Sequence, residues 1–122
     1  MYDLNSEKKR SANDVRPDVG WTERDGIQIN ELTEKDMISV TTENSSYEML
    51  VIDPETARVM VRGGRCFPSH TLAEVSGSSL GSSIKLYGIY VGYAVELFAD
   101  GMRTRTSPVR NIRLFRESEL AA

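Results

Sequence analysis

Residues 37–64 read MISVTTENSSYEMLVIDPETARVMVRGG, and this stretch decides the fold prediction. Ile38 and Val40 alternate with polar residues, which is the period of a strand with one buried face. Residues 44–46, Asn-Ser-Ser, are turn formers, and a second β-favouring run follows at residues 47–52. The stretch therefore begins with a predicted β-hairpin.

A turn and a third strand complete the quoted stretch. Residues 53–56, Asp-Pro-Glu-Thr, predict a type I turn, because Pro presets the backbone angle of its second position and the Asp carboxylate can cap it. Residues 58–62 then place Val59 and Val61 on one side and two arginines with Met60 on the other. We expect the face with the valines to be buried in the core and the face with the arginines to be exposed to solvent.

The rest of the chain continues with short β-favouring runs that recur about every ten residues. Further strands are predicted at residues 72–75, 89–98, 102–106 and 109–115. Asp100 and Gly101 predict a hairpin turn, and Gly92 predicts a bulge or a close backbone approach within its strand. Residues 67–70 and 77–83 contain Pro, Gly and Ser and are predicted as loops.

These runs predict an all-β protein with one small domain of about seven or eight short, mostly antiparallel strands. A barrel or barrel-like sandwich is favoured over an open sheet, because closure removes exposed strand edges. The domain is expected to cover residues 27–116, between a polar N-terminal arm at residues 1–26 and a C-terminal tail at residues 117–122. Trp21 is unusual in so polar an arm. It predicts docking on the domain or on a partner subunit, with plain disorder of the arm as the alternative.

The composition is typical of a soluble globular domain: 122 residues, of which 39% are hydrophobic and 27% charged. The longest apolar run, residues 49–52, is far too short to cross a bilayer, and the N-terminus lacks a secretory signal pattern. We therefore expect a cytoplasmic protein. A single cysteine, Cys66, excludes an internal disulfide, and with a single histidine it provides poorly for a metal site. We expect no cofactor.

Charge is distributed unevenly along the chain. Residues 1–57 hold six Lys or Arg against thirteen Asp or Glu, a balance of −7, whereas residues 58–122 hold nine against five, a balance of +4. If the later arginines share one face, they would form an anion-binding surface, since guanidinium groups bind phosphates bidentately. The candidate residues are Arg58, Arg62, Arg65, Arg103, Arg105, Arg110 and Arg113. Single-stranded nucleic acid would be the leading ligand, with Tyr87, Tyr90 and Tyr93 as stacking platforms.

Two other interpretations compete with nucleic-acid binding. The arginines can be solvated strand faces or can pair with the acidic first half, and the acidic pI of about 5.2 favours this interpretation. Cys66 and His70 contain the groups of a minimal nucleophilic pair, but no orienting Asn or Asp is identifiable.

We therefore predict a non-catalytic module that binds a protein partner or assembles with itself as a homodimer, through Trp21 or an exposed strand. The alternatives are a nucleic-acid-binding module that uses the arginines, and a small enzyme built on Cys66 and His70.

Overall fold

Ten strands make up the part of the chain that the computed structural model describes, residues 26–117, with Leu80 described by its backbone. The strands are β1 (Gly26–Gln28), β2 (Met37–Thr42), β3 (Ser46–Asp53), β4 (Arg58–Gly63), β5 (Phe67–Leu80), β6 (Ser83–Leu86), β7 (Gly88–Tyr90), β8 (Ala94–Ala99), β9 (Met102–Arg105) and β10 (Val109–Phe115). Two three-residue 3-10 helices also occur, at Ile29–Glu31 and Pro54–Thr56. No helix in this range is long and apolar enough to cross a membrane. The predicted arm with Trp21, up to residue 25, and the tail beyond Glu117 lie outside the described residues.

All strand pairs are antiparallel, and the all-β prediction is confirmed. One sheet has the order β10-β2-β3-β4-β5-β8-β9, with β6 added on β5, and β1 pairs with β7 separately. Val109, the first residue of β10, donates its N–H to the Tyr93 carbonyl at 2.9 Å and accepts from the Gly92 N–H at 2.8 Å. The sheet therefore curls toward itself at this end, but no closed barrel is found within residues 26–117.

The stretch that decided the prediction folds as expected. β2 and β3 form a hairpin in which Ile38 lies opposite Met49, and both side chains are fully buried. Asp53 Oδ1 then accepts a hydrogen bond from the Glu55 N–H at 3.2 Å, which fixes the turn before β4. Val59 and Val61 of β4 are fully buried, as predicted. The β-favouring runs and the turn residues between them were sufficient to predict these strands, each of which buries one face.

The predicted loops at residues 67–70 and 77–83 are wrong, because both regions belong to the fourteen-residue strand β5 or its hairpin with β6. Phe67 is only 3% exposed and holds the start of the strand in the core. Gly77 has φ +144°, and a Cβ there would lie 2.0 Å from the Lys85 carbonyl oxygen. β6 therefore approaches β5 closely at Gly77, and a close backbone approach is one reason for a glycine inside a strand.

The predicted strand at residues 89–98 is divided in two. β7 ends at Tyr90 and pairs with β1, whereas β8 starts at Ala94 and pairs with β5. Gly92 lies between them with φ +97°, a conformation that suits glycine. The residue therefore turns the chain out of one sheet and into the other.

The core is built from aliphatic side chains of both sheets, and its largest fully buried members are Ile29, Ile38, Met49, Ile89 and Leu97. Asp36 is buried beside it, only 2% exposed. Its carboxylate accepts hydrogen bonds from the Thr33 and Glu117 N–H groups, each at 2.9 Å. Burying a carboxylate is costly unless it is hydrogen-bonded. Asp36 therefore ties the chain after β10 to the start of β2.

Candidate protein-binding surface

Four arginines in the described range pair with carboxylates. Three of the four acids belong to the acidic first half of the sequence. The pairs are Arg58–Glu74 at 3.3 Å, Arg62–Glu48 at 2.8 Å, Arg110–Glu43 at 3.6 Å and Arg116–Asp36 at 4.0 Å. These arginines are therefore interleaved with acid.

The other four arginines of the described range are divided among β10, β9 and the turn before β5. Arg113 lies over the Phe115 ring, with the guanidinium carbon 5.4 Å from the ring centroid, in a cation–π contact. Arg65 lies in the turn between β4 and β5, and Arg103 and Arg105 lie on β9. Within residues 26–117 these three form no ion pair.

The tyrosines proposed as stacking platforms are mostly covered. Tyr90 is 3% exposed and Tyr93 is 6% exposed, while Tyr87 is half-buried. The Tyr90 ring packs over the backbone of Gly26 and Gly88, where an added Cβ would lie within 2.5 Å of ring atoms. Stacking of a nucleic-acid base requires an accessible ring face. Tyr90 and Tyr93 therefore serve packing within the domain.

Cys66 and His70 are both exposed, Cys66 in the turn before β5 and His70 on β5. Neither side chain makes a hydrogen bond to any group in the described part of the chain. A nucleophile and its base normally lie within about 3.2 Å of each other.

In addition, no group of three or more His, Cys, Asp or Glu side chains in residues 26–117 could hold a metal ion.

Five apolar residues form a continuous row on the outer face of the sheet, and we call this row the apolar band. Each member lies opposite the next in the strand register, so the row crosses five neighbouring strands. In sheet order, the members are Phe115 of β10, Met37 of β2, Leu50 of β3, Met60 of β4 and Leu72 of β5. The chain neighbours Ile38, Met49, Val51, Val59 and Val61 are fully buried, so the band faces away from the core.

The band becomes more exposed toward its β5 end. Phe115, Met37, Leu50 and Met60 are half-buried, whereas Leu72 is 49% exposed. Phe98 of β8 is 43% exposed and lies opposite Glu74, diagonally across from Leu72. An open hollow of about 340 Å³ lies between the Leu72 and Phe98 side chains, with Ala73 and Ala99 in its lining. The outer face therefore offers both an apolar row and a recess at its end.

Charged residues border the band on both sides. Glu48 and Arg62 lie opposite each other, two residues along from Leu50 and Met60, and form the 2.8 Å ion pair. On the other side, Arg58 forms an ion pair with Glu74, and Asp53 lies opposite Arg58 after a register shift that follows Val51. A desolvated apolar centre with a polar rim is the usual anatomy of a protein–protein interface.

A second cavity, of about 300 Å³, lies beside Gly26, at the beginning of the described residues. Leu114 and Arg116 line one side of it and Gln28 and Tyr90 another. The Tyr90 hydroxyl donates a hydrogen bond to Gln28 Oε1 at 3.0 Å, so these two polar groups already satisfy each other.

Sequence reasoning missed the apolar band. The signal was present in Met60, which lies between Arg58 and Arg62 on the side predicted to be wet. Alternation gives the face on which a residue lies, but it does not say which residues of other strands stand beside it. The band becomes visible only when the register of five strands is known.

No protein-family model matches the chain, and comparisons with curated proteins and with solved structures found no match.

Proposed function

We propose that this chain is a non-catalytic binding module that contacts a protein through the outer face of its sheet. The observation that carries the proposal is the apolar band, a registered row of five apolar side chains on a face that also holds ion pairs. Contiguous apolar surface of this kind, rimmed by polar residues, marks interaction sites on soluble proteins.

The chemistry of the band suits a protein partner. Leu72 and Phe98 present large apolar groups to solvent, and covering such side chains releases roughly 25 cal/mol per Å² of apolar surface. Met37 and Met60 add unbranched, polarizable side chains that adapt to a facing surface. The ion pairs at the rim then contribute orientation more than affinity.

Two observations make a protein partner a better candidate than nucleic acid. Four arginines are already paired with carboxylates, which weakens attraction for phosphates. The buried rings of Tyr90 and Tyr93 are covered, so they offer no stacking platform. Arg65, Arg103 and Arg105 remain as support for the nucleic-acid alternative, but they lie on a turn and on one edge strand.

The proposal includes two finer expectations. We propose that the curled sheet acts as a barrel-like scaffold, supported by the backbone hydrogen bonds of Val109 with Gly92 and Tyr93. We also propose that the chain works in the cytoplasm, where a reducing environment keeps the exposed Cys66 thiol free.

Site-specific photocrosslinking tests the proposal. A photoreactive phenylalanine analogue is placed at Leu72 or, as the matched control, at Leu86, which is 57% exposed on β6 and outside the band. In cells that express the full chain, we expect one discrete crosslinked protein species from position 72 and none from position 86. Equal adducts at both positions, or none at position 72, would contradict binding through this face.

A further inference from the structure

We infer that the partner on the apolar band is a second copy of this chain, in a symmetric dimer whose two-fold axis runs parallel to the strands, midway between β3 and β4. The inference rests on the proposed function and names its partner. In this arrangement β3 of one copy lies over β4 of the other, and β2 lies over β5. Two sheets of the same twist pack in this aligned way about 10 Å apart in many β-sandwiches.

The register makes the apolar residues meet one another across this axis. Leu50 and Met60 lie opposite each other within one sheet, as do Met37 with Leu50 and Met60 with Leu72. The two-fold rotation therefore places Leu50 over the partner's Met60. It also places Met37 over the partner's Leu72. Both contacts occur twice, as an isologous interface requires.

The same rotation makes the charges complementary. Glu48 and Arg62 lie opposite each other at the same level of β3 and β4, so Glu48 faces the partner's Arg62. On the other side of the band, Arg58 faces the partner's Asp53, because Asp53 and Arg58 also lie opposite each other. The Glu48–Arg62 ion pair thus meets a reversed copy of itself, and its four charges alternate in sign.

The other two-fold axis in the interface plane, running along the band, is disfavoured by the same residues. It would lay each strand over its own copy and exchange the two borders of the band. Arg62 would then face the partner's Arg58, and Glu48 would face the partner's Asp53. Like charges that face each other select against a binding mode. The charge pattern therefore chooses one of the two symmetric arrangements.

The expected interface is small. Four strands are about 19 Å wide at a spacing of about 4.8 Å, and the levels from Arg58 to Arg62 span about 14 Å along the strands. A footprint of this size places the contact at the low end of specific interfaces, below about 1,200 Å² in total. We therefore expect a dimer that dissociates on dilution.

Sedimentation equilibrium of the full chain tests the dimer directly, at concentrations from about 1 to 500 µM. The wild-type chain is expected to pass from monomer to dimer within this range. Leu72→Asp is expected to remain monomeric, whereas Leu86→Asp, which changes a similarly exposed residue outside the band, is expected to dimerise like wild type. A wild-type chain that stays monomeric throughout, or a Leu86→Asp variant that loses dimerisation as fully as Leu72→Asp, would overturn the inference.

Charge exchange tests the axis. Glu48→Lys makes the β3–β4 pair wholly basic, and Arg62→Glu makes it wholly acidic, so each variant alone is expected to repel its own copy and to dimerise at least tenfold more weakly than wild type. An equimolar mixture is expected to form heterodimers, because the basic pair of one variant then faces the acidic pair of the other. Both variants change an exposed ion pair, which contributes little to stability. A mixture no more associated than the separate variants would refute this axis.

The crosslinking result separates this inference from the proposed function. An adduct at position 72 with the mass of two chains supports both. An adduct at position 72 with any other protein, together with a monomeric purified chain, overturns the dimer and leaves the binding face standing. Absence of both the adduct and the dimer overturns both.

Discussion

Replacing Gly77 with Ala should destabilise the protein severely. A Cβ at this position would lie 2.0 Å from the Lys85 carbonyl oxygen and 2.8 Å from its carbon, so the backbone of β6 must retreat by about 1.4 Å to reach ordinary contact. The φ of +144° adds strain of roughly 1–3 kcal/mol for a residue with a side chain.

The retreat of β6 also weakens its pairing with β5. Ser78 lies opposite Lys85 and Gly77 opposite Leu86, and each cross-strand hydrogen bond contributes about 0.5–1.5 kcal/mol. Together with the strain, the expected loss is about 3–4 kcal/mol. For a domain of this size, 1 kcal/mol shifts the melting temperature by about 4–8 °C, so Tm should fall by roughly 12–32 °C. Thermal unfolding followed by circular dichroism measures it.

Gly81→Ala is the matched control. Gly81 also has a positive φ, +60°, but no atom lies within 4 Å of the position its Cβ would take. This change should therefore carry only the left-handed strain, about 1 kcal/mol, and lower Tm by about 4–8 °C. If Gly77→Ala proves no more destabilising than Gly81→Ala, the close approach of β6 at Gly77 is refuted.

Two further predictions concern the core and the buried carboxylate. Leu97→Ala removes a fully buried side chain and should cost about 2–5 kcal/mol in urea unfolding, whereas Leu86→Ala, at an exposed site, should change stability by less than about 0.5 kcal/mol; similar losses would contradict the assigned core. Asp36→Ala leaves the N–H groups of Thr33 and Glu117 without their acceptor and should cost about 1–3 kcal/mol. In this variant the backbone amide of Glu117, which follows β10, should exchange faster with deuterium. Unchanged exchange at Glu117 would mean that Asp36 does not hold the chain after β10.

The sequence was most informative where one local pattern determined the structure. Val59 and Val61 alternate with Arg58, Met60 and Arg62, and both valines are buried as predicted. Asp100 and Gly101 form the tip between β8 and β9, with φ values of +53° and +77° that suit such a turn. In both cases the signal that predicted the structure lies in residues that are neighbours along the chain.

The misjudged regions depend on contacts between distant residues. Ser78 looked like part of a loop, yet its hydroxyl donates to the Gly88 carbonyl and accepts from the Tyr90 N–H, each at 3.0 Å, inside the sheet. Gly77 has its conformation because another strand approaches it. The apolar band likewise depends on register, because Met60 becomes part of a continuous apolar row only through Leu50 and Leu72, which lie opposite it on the neighbouring strands. Periodicity carries no information about such pairings.

The pairing of β10 with β2 has a consequence for synthesis of the chain. β2 occupies a place between β3 and β10 in the sheet, yet β10 follows the other nine described strands along the chain. Until β10 has emerged, β2 lacks the partner that β10 provides along one of its edges, and closing such a long-range contact is slow. We expect the nascent chain to be prone to aggregation until Val109–Phe115 has emerged, so that a stop codon before β10 should yield an insoluble product rather than a smaller folded domain.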